Sequence, residues 1–390
     1  MASCRRLSFS LSLVLLLHLR AAAGDSPAPD LPRSELAAIF RVMADLLGDP
    51  SWPQLHPRPC TDTPWPGLQC ELSPDDARVL RATRLHFGPD VSTPPCKPGA
   101  RLDTDALRGL PHLKTLSLFA CFATGNGHTD IHEEIGGMAS LTILDLSWNN
   151  LDGGVPAAVG KLRRLQKLDL SYNHLAGVLP PELGSLQDLV FLDLSHNRFT
   201  GPLPGSLSCL SKLQYLLLQD NPLGTAVPAA VVGALRRLQV LGLSGCGLTG
   251  PIPRGAFAAL ASLTALSLDR NRLDGPIPAT LAALPHLGQL NLSQNRLAGE
   301  IALPGEFVAR LGRRLDVRGN DELCVGRGLQ GRSGYLLGAP PCADRRSGGD
   351  GSPAERSGAA AVDGGGGRWG YRYGSVGVWH VFVLSLVFQL

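Results

Sequence analysis

Aromatic side chains are scarce: they make up 5% of the 390 residues, and there are only three methionines. An interior built mainly from rings is therefore excluded, and any core must be aliphatic. An excess of one charge is also missing. The formal net charge is +3, and Arg5, Arg6 and Arg20 stand in a leader-like N-terminus, so removing them leaves +3 − 3 = 0. A balanced chain lacks the basic surface that phosphate binding needs, which argues against a nucleic-acid partner. A metal site is not read either, since Cys-x2-Cys pairs with ligand histidines are absent, so neither metal nor cofactor is expected. The glycine run 364–367 neither follows a strand nor opens a helix, and no set of kinase motifs occurs, so no phosphate loop and no enzyme is read here. What the chain does have is 44% hydrophobic residues against 18% charged. That composition supports a sizeable core and excludes wholesale disorder.

The two ends differ from the middle. Arg5 and Arg6 precede an apolar run from Leu7 to Leu19, followed by Ala21-Ala22-Ala23-Gly24. That order predicts a cleavable secretion signal over residues 1–23; a membrane anchor needs about 20 apolar residues, and this run is shorter. Nine cysteines behind such a leader point to an oxidising compartment. Residues 343–373 form a Gly/Ser/Arg-rich linker too poor in apolar surface to fold. Residues 374–390 are an apolar tail that would span about 26 Å as a helix, short of the ~30 Å hydrocarbon core. Small residues Asp363-Gly364-Gly365 before a polar spacer and this tail match a lipid-anchor signal, with Ser357-Gly358-Ala359 as a rival attachment triplet. A short single-pass helix and free secretion are the alternatives.

The middle repeats. Leu141/Leu144/Leu146/Asn149/Leu151 recurs at Leu165/Leu168/Leu170/Asn173/Leu175, Leu189/Leu192/Leu194/Asn197/Phe199 and Leu213/Leu216/Leu218/Asn221/Leu223. It continues at Leu238/Leu241/Leu243/Cys246/Leu248, Leu263/Leu266/Leu268/Asn271/Leu273 and Leu287/Leu290/Leu292/Asn295/Leu297. An irregular copy precedes these seven at Leu113/Leu116/Leu118/Cys121, and a degraded one follows at Leu315/Val317/Asn320. The spacing within the regular set is 24 or 25 residues. This pattern is the leucine-rich repeat: each LxxLxL segment is a short strand with its leucines inward, and the Asn, or Cys in its place, bonds backbone at the turn. One unit cannot bury its own face, so stacking supplies the core. The fold expected is an α/β solenoid over residues 110–323. Within it Asp145, Asp169 and Asp193 form a column, read as repeat consensus rather than acid–base machinery.

Glycine and proline then recur after each strand, as in Gly177-Val178-Leu179-Pro180 and Gly250-Pro251-Ile252-Pro253. With them the chain resembles the plant-specific class, LxGxIPxxL. That resemblance implies a second short sheet beside the main one and a twisting, right-handed superhelix. Upstream, Ser34 is positioned to cap a helix bearing Leu36, Ile39, Phe40, Met43 and Leu47. Cys60-x4-Trp65-x-Gly67-x2-Cys70 resembles the N-terminal cap of plant extracellular repeat proteins, giving a cap over residues 24–109 and a second cap over 324–342. Local pairing at the caps joins Cys60 to Cys70, Cys96 to Cys121, and Cys324 to Cys342. Cys209 and Cys246 remain and are read as buried thiols.

Three stretches narrow the resemblance: Leu118-Phe119-Ala120-Cys121-Phe122, Leu284-Pro285-His286-Leu287-Gly288, and Leu311-Gly312-Arg313-Arg314-Leu315 before Asn320-Asp321-Glu322-Leu323-Cys324. With the cap cysteines they are similar to a small group of plant receptor-like proteins without kinases, which includes Too Many Mouths, receptor-like protein 29 and Piriformospora indica-insensitive protein 2. The resemblance implies a role at the outer face of the plasma membrane, perceiving a protein or peptide ligand beside receptor-kinase ectodomains. The regular repeats are fewer than Too Many Mouths would lead one to expect, so stomatal patterning is not carried over. A secreted inhibitor of pathogen wall-degrading enzymes is the alternative.

Side chains alternating with the inward leucines face the concave side. Just before each ladder residue the column reads Trp148, Tyr172, His196, Asp220, Gly245, Arg270, Gln294. One column over it reads Ile143, Lys167, Phe191, Tyr215, Val240, Ala265, Gln289. The first four repeats thus gather aromatic groups expected to lie exposed, making Trp148, Tyr172, Phe191, His196 and Tyr215 the partner-binding candidates. Asn291-Leu292-Ser293 is the one glycosylation sequon, with Asn291 expected on the same face.

Overall fold

The computed structural model describes residues 30–88, 96–122, 129–329 and 337–343. The secretion signal, most of the linker, the apolar tail, and the attachment candidates Ser357 and Asp363 lie outside the described residues. The chain divides into two units, Met1–Cys342 and Ala343–Leu390, and the repeats and both caps belong to the first.

Each LxxLxL segment becomes a strand of three or four residues because alternation sends one set of side chains into the core and the other out. These segments join strands from both flanks in one sheet of eleven. The first two, Leu68–Leu72 and Leu80–Phe87, pair antiparallel, and the remainder are parallel and in register. The seven regular strands are Ile143–Asp145, Lys167–Asp169, Phe191–Asp193, Tyr215–Leu217, Val240–Gly242, Ala265–Ser267 and Gln289–Asn291. Their central leucines, Leu144 to Leu290, align from strand to strand and are wholly buried. On the opposite side the chain returns through short 3-10 turns such as Ala157–Lys161 and Pro181–Ser185. A side chain on Gly184 would collide with the backbone of Ser206 in the next turn, so glycine there permits the close stacking of successive coils.

The second sheet implied by the plant-type glycines is present in three pieces. Thr129–Asp130 pairs with Leu151–Asp152, and Ala176–Gly177 pairs with Arg198–Phe199. Thr249–Pro251, Arg272–Gly275, Arg296–Glu300 and Glu322–Cys324 make a four-stranded run. Gly177, Gly201, Gly250 and Gly275 have φ between 71° and 85°, the left-handed conformation glycine adopts without strain.

The N-terminal end of the core is closed by the helix Arg33–Leu46, which buries Ala38, Ile39, Val42, Met43 and Leu46. Ser34 does not cap it. The helix starts two residues earlier than expected, Pro32 takes the cap position with no side-chain bond, and Ser34 falls inside the first turn. Glu35 is buried there, accepting from Arg81 Nη1 at 2.6 Å and from the Ala82 amide at 3.2 Å. Trp52, Trp65 and Phe87 pack ring on ring, with centroids 5.6 and 4.9 Å apart. A Cβ on Gly67 would collide with the Trp65 ring, which explains the Trp-x-Gly spacing.

All three expected disulfides are formed, Cys60–Cys70, Cys96–Cys121 and Cys324–Cys342. The remaining cysteines part company. Cys246 is buried as expected, but Cys209 is exposed. Cys209 ends a 3-10 turn in which Leu207 supplies the inward side chain, so its thiol is left outside. Among the described residues no helix is long and apolar enough to cross a membrane.

Candidate partner-binding surface

The turn after each strand is held by a buried ladder. Asn173 Nδ2 donates to the carbonyls of Leu146, Leu170 and Ser171 at 2.9 to 3.1 Å, while its Oδ1 accepts from the Leu151 amide at 3.0 Å. Asn197, Asn271 and Asn295 repeat this pattern. Cys121 does not act as a ladder donor, because its sulfur is taken by Cys96; its amide donates to Asn149 Oδ1 instead. Cys246 does substitute, its sulfur 3.2 Å from the Leu218 carbonyl and 3.6 Å from that of Ser244. Burial pushes its thiol up to about 12, so it stays protonated and can donate.

That ladder fixes the residue before it. Trp148, Tyr172, His196, Asp220, Arg270 and Gln294 all have φ of 54° to 58°, and Gly245 has 63°. One left-handed turn per repeat therefore sets these side chains in a row along the sheet. Trp148 and Tyr172 stack with centroids 4.0 Å apart at 14°, and Tyr172 and His196 stack at 4.0 Å and 19°. The row then turns ionic. His196 Nδ1 is 3.4 Å from Asp220 Oδ2, and Asp220 Oδ1 is 3.1 Å from Arg270 Nη1. The Asp220–Arg270 pair spans the intervening repeat over Gly245, where a Cβ would collide with Asp220. Burial, followed by the Asp193 and Asp220 charges, pushes the Tyr172 phenol up to about 12, so it remains a neutral donor.

The neighbouring column corrects the expectation of five exposed aromatic and imidazole groups. Phe191 is 3% exposed and Tyr215 5%, whereas Trp148 is 51% exposed. Phe191 and Tyr215 sit on the expected face but are packed over: their rings lie 5.8 Å apart, and Lys167 Nζ sits 5.2 Å from the Phe191 centroid. Tyr215 Oη also donates to Gln239 Oε1 at 3.3 Å. The accessible row is Trp148, Tyr172 and His196. The sequence pattern puts Asp220 and Arg270 in the same column, but it does not reveal that they continue the stack as a charge ladder.

Asp145, Asp169 and Asp193 pair in register on adjacent strands. Each accepts at Oδ1 from the hydroxyl two residues on, Ser147, Ser171 and Ser195, at 2.6 to 2.7 Å. Lys167 Nζ lies 3.5 Å from Asp145 Oδ2 and 3.6 Å from Asp169 Oδ2. Burial, with the Asp193 and Asp145 charges on either side, pushes the Asp169 carboxyl up to about 8. The serine and lysine contacts account for these carboxylates as parts of the sheet. Among the described residues no group of three or more His, Cys, Asp or Glu is placed to hold a metal. Asn291 lies between buried Leu290 and Leu292 and is half-buried, its Oδ1 accepting from the Ser293 hydroxyl at 2.8 Å.

A leucine rich repeat family model matches residues 124–175, 164–223 and 236–297. Receptor like protein 29 of Arabidopsis thaliana is 34% identical over 93 residues, which cover 24% of this chain and 19% of that protein. Piriformospora indica-insensitive protein 2 of Arabidopsis thaliana is 31% identical over 126 residues, covering 30% of this chain and 28% of that protein. The chain thus spans less than a third of the length of either relative. Among solved structures, the Arabidopsis receptor kinase HAESA, in complex with the peptide hormone IDA and a co-receptor, aligns with a TM-score of 0.60 at 25% identity. That alignment covers 76% of this chain and 46% of HAESA.

Proposed function

From the premise of a leucine-rich-repeat solenoid whose relatives are plant receptor-like proteins, we propose that this chain is a cell-surface receptor-like protein. It has no kinase activity of its own. It binds a peptide or protein partner on the N-terminal half of its concave sheet and signals with receptor kinases. The observation that carries this reading is the ordered row Trp148, Tyr172 and His196, stacked at 4.0 Å with Trp148 half exposed. Fixed rings on an open surface cost little entropy to bury, which is what recognition hot spots need. The HAESA complex supports it, since a similar coil there accompanies a peptide hormone and a co-receptor. Attachment to the outer face of the plasma membrane, through a lipid at Asp363 or Ser357, rests on the sequence pattern.

The test is binding of the purified chain to candidate receptor-kinase ectodomains. Tyr172→Ala should lose about 1–2 kcal/mol of binding while folding normally. Gln294→Ala, in the same column at the far end, should lose none. Equal binding by both variants and wild type would move the interface elsewhere. The secreted-inhibitor alternative is favoured by the flatness of the C-terminal half, where Gly242, Gly245 and Ala265 leave few protruding groups. Release from membranes by a phospholipase that cuts lipid anchors separates the two.

A further inference from the structure

The turn that leads into each strand carries charges that its packing does not require. Two residues of the coil point away from the core there, between two buried leucines such as Leu162 and Leu165. In three coils these pairs are Arg163-Arg164, Ser211-Lys212 and Arg236-Arg237, all exposed. The equivalent pairs elsewhere include Ala139-Ser140, Ala261-Ser262 and Pro285-His286, so the fold accepts uncharged residues at the same place. The backbone closes the turn by itself. The Leu165 amide donates to the Leu162 carbonyl at 2.9 Å and the Gln166 amide to that of Thr142 at 2.8 Å, and Leu238 and Gln239 repeat both bonds.

Few acids answer these cations. Lys212 Nζ pairs with Asp188 Oδ1 of the preceding coil at 2.6 Å, and Arg163 Nη1 donates to the Ser185 carbonyl at 3.0 Å. Among the described residues Arg163, Arg164, Arg236 and Arg237 form no ion pair. The carboxylates of the same coils, Asp145, Asp169, Asp193 and Asp220, stand where the strands end and in the turn after them. A balanced net charge thus conceals a sheet that is acidic where its strands leave and cationic where they enter. Arg-Arg-Leu-Gln occurs twice, at 163–166 and 236–239, with Lys212-Leu213-Gln214 between. The two arginine pairs are three coils apart, roughly 14 Å at about 4.8 Å per strand.

The surroundings of this strip narrow the ligand. The exposed large hydrophobic side chains of the described residues, Leu55, Leu72, Trp148 and Val178, lie off these turns. The turn amides are already bonded, so no open strand edge is offered to a peptide. Beside the cations stand side-chain amides: Gln166 is exposed, and half-buried Gln239 donates from Nε2 to Oε1 of half-buried Gln214 at 3.1 Å. Guanidinium forks match carboxylates, and amides bond hydroxyls. A polymer that is acidic and hydroxylated along its length meets both, and a strip one turn wide suits a linear chain better than a flat membrane. The three disulfides belong to an oxidising compartment, where nucleic acid is not the polyanion at hand. We propose that the edge from Arg163 to Arg237 binds a linear carboxylated polysaccharide, on a surface separate from the Trp148 row and independent of the partner-binding reading.

The probe is polygalacturonate, titrated into the full chain beside the same polymer fully methyl-esterified and beside polyglutamate of matched length. Polygalacturonate should bind, and more weakly as salt is added. The esterified polymer, uncharged, should not bind, and polyglutamate, charged but without hydroxyls, should bind severalfold more weakly. Arg236→Ala with Arg237→Ala should weaken polygalacturonate binding severalfold. Arg272→Ala with Arg296→Ala removes two exposed charges from the turns after the strands and should leave binding near wild type. All four arginines are exposed, so both double variants should keep the far-ultraviolet circular dichroism of wild type. No binding of polygalacturonate, equal binding of the esterified polymer or of polyglutamate, or equal losses in the two double variants would each overturn the proposal. Binding to phosphatidylserine vesicles in place of the polymer would overturn it too, by giving the strip to a membrane.

Discussion

The first four regular strands and the last three share one interior and present two different exteriors. Inward, both halves carry the same buried leucines and, but for Cys246, the same turn-holding asparagines from Asn149 to Asn295. Outward, the first half shows Trp148, Tyr172, His196 and a column of aspartates, while the second shows Gly245, Arg270 and Gln294 over Gly242, Ser267 and Asn291. The inward positions are constrained by neighbours above and below, so they cannot vary. The outward ones answer only to solvent and to each other. Sequence freedom in a solenoid is therefore concentrated on one face, and a change of character along that face is informative because packing did not demand it.

The comparison is broken most severely from inside. If the halves share one scaffold, Asn173→Ala and Asn295→Ala should be equally costly, each stranding a buried amide and several carbonyls. A loss of about 2–4 kcal/mol is expected in both, read by denaturant unfolding. A much smaller cost in one half would mean the interiors are not equivalent. Acidity should then separate the exteriors. Folding raises the Asp169 pKa from 3.8 to about 8, so the folded chain holds a proton that the unfolded chain has released. Its contribution to stability is full below about pH 4 and is lost as pH rises to about 8. Wild type should lose stability across that window, and Asp169→Asn should flatten the decline. The second half has no carboxylate in this column at Gly242, Ser267 or Asn291, so it adds nothing to the slope. An unchanged slope in Asp169→Asn would assign the titration to other groups. The smallest effect is expected at Asn291. Asn291→Gln should remove a glycan from the secreted protein, seen as a loss of mass, and leave receptor-ectodomain binding near wild type. Strongly altered binding would extend the interface into the second half.

Period and chemistry made most of the scaffold legible. A recurrence of 24 or 25 residues has one structural solution, and six cysteines placed at its two ends pair locally. What escaped was set by neighbours across strands. Phe191 and Tyr215 alternate onto the predicted face, yet they pack on each other and the Lys167 ammonium lies over Phe191, so both are buried, and no single strand encodes that. The exposure of Cys209 follows from the inward phase of a 3-10 turn, which differs from that of an α-helix and leaves no mark in the leucine spacing. The row from Trp148 to Arg270 can be written down from the sequence, but its stacking depends on a left-handed turn at every repeat, which bulky residues seldom adopt unaided.

The one thiol in the asparagine ladder has a consequence for how the coil comes apart. Cys246 carries a single hydrogen for two carbonyls, and the Leu223 amide, which an asparagine at 246 would have received, turns back to the Asn221 carbonyl at 2.8 Å. In a linear array the stability of each junction is a nearest-neighbour quantity, and thermal opening begins where coupling is weakest. That junction falls between the fourth and fifth regular strands, where the exterior changes from aromatic and acidic to small and basic. It makes fewer ladder bonds than an asparagine junction, while the strands Tyr215–Leu217 and Val240–Gly242 stay paired in register across it, so the thiol thins the turn without interrupting the sheet.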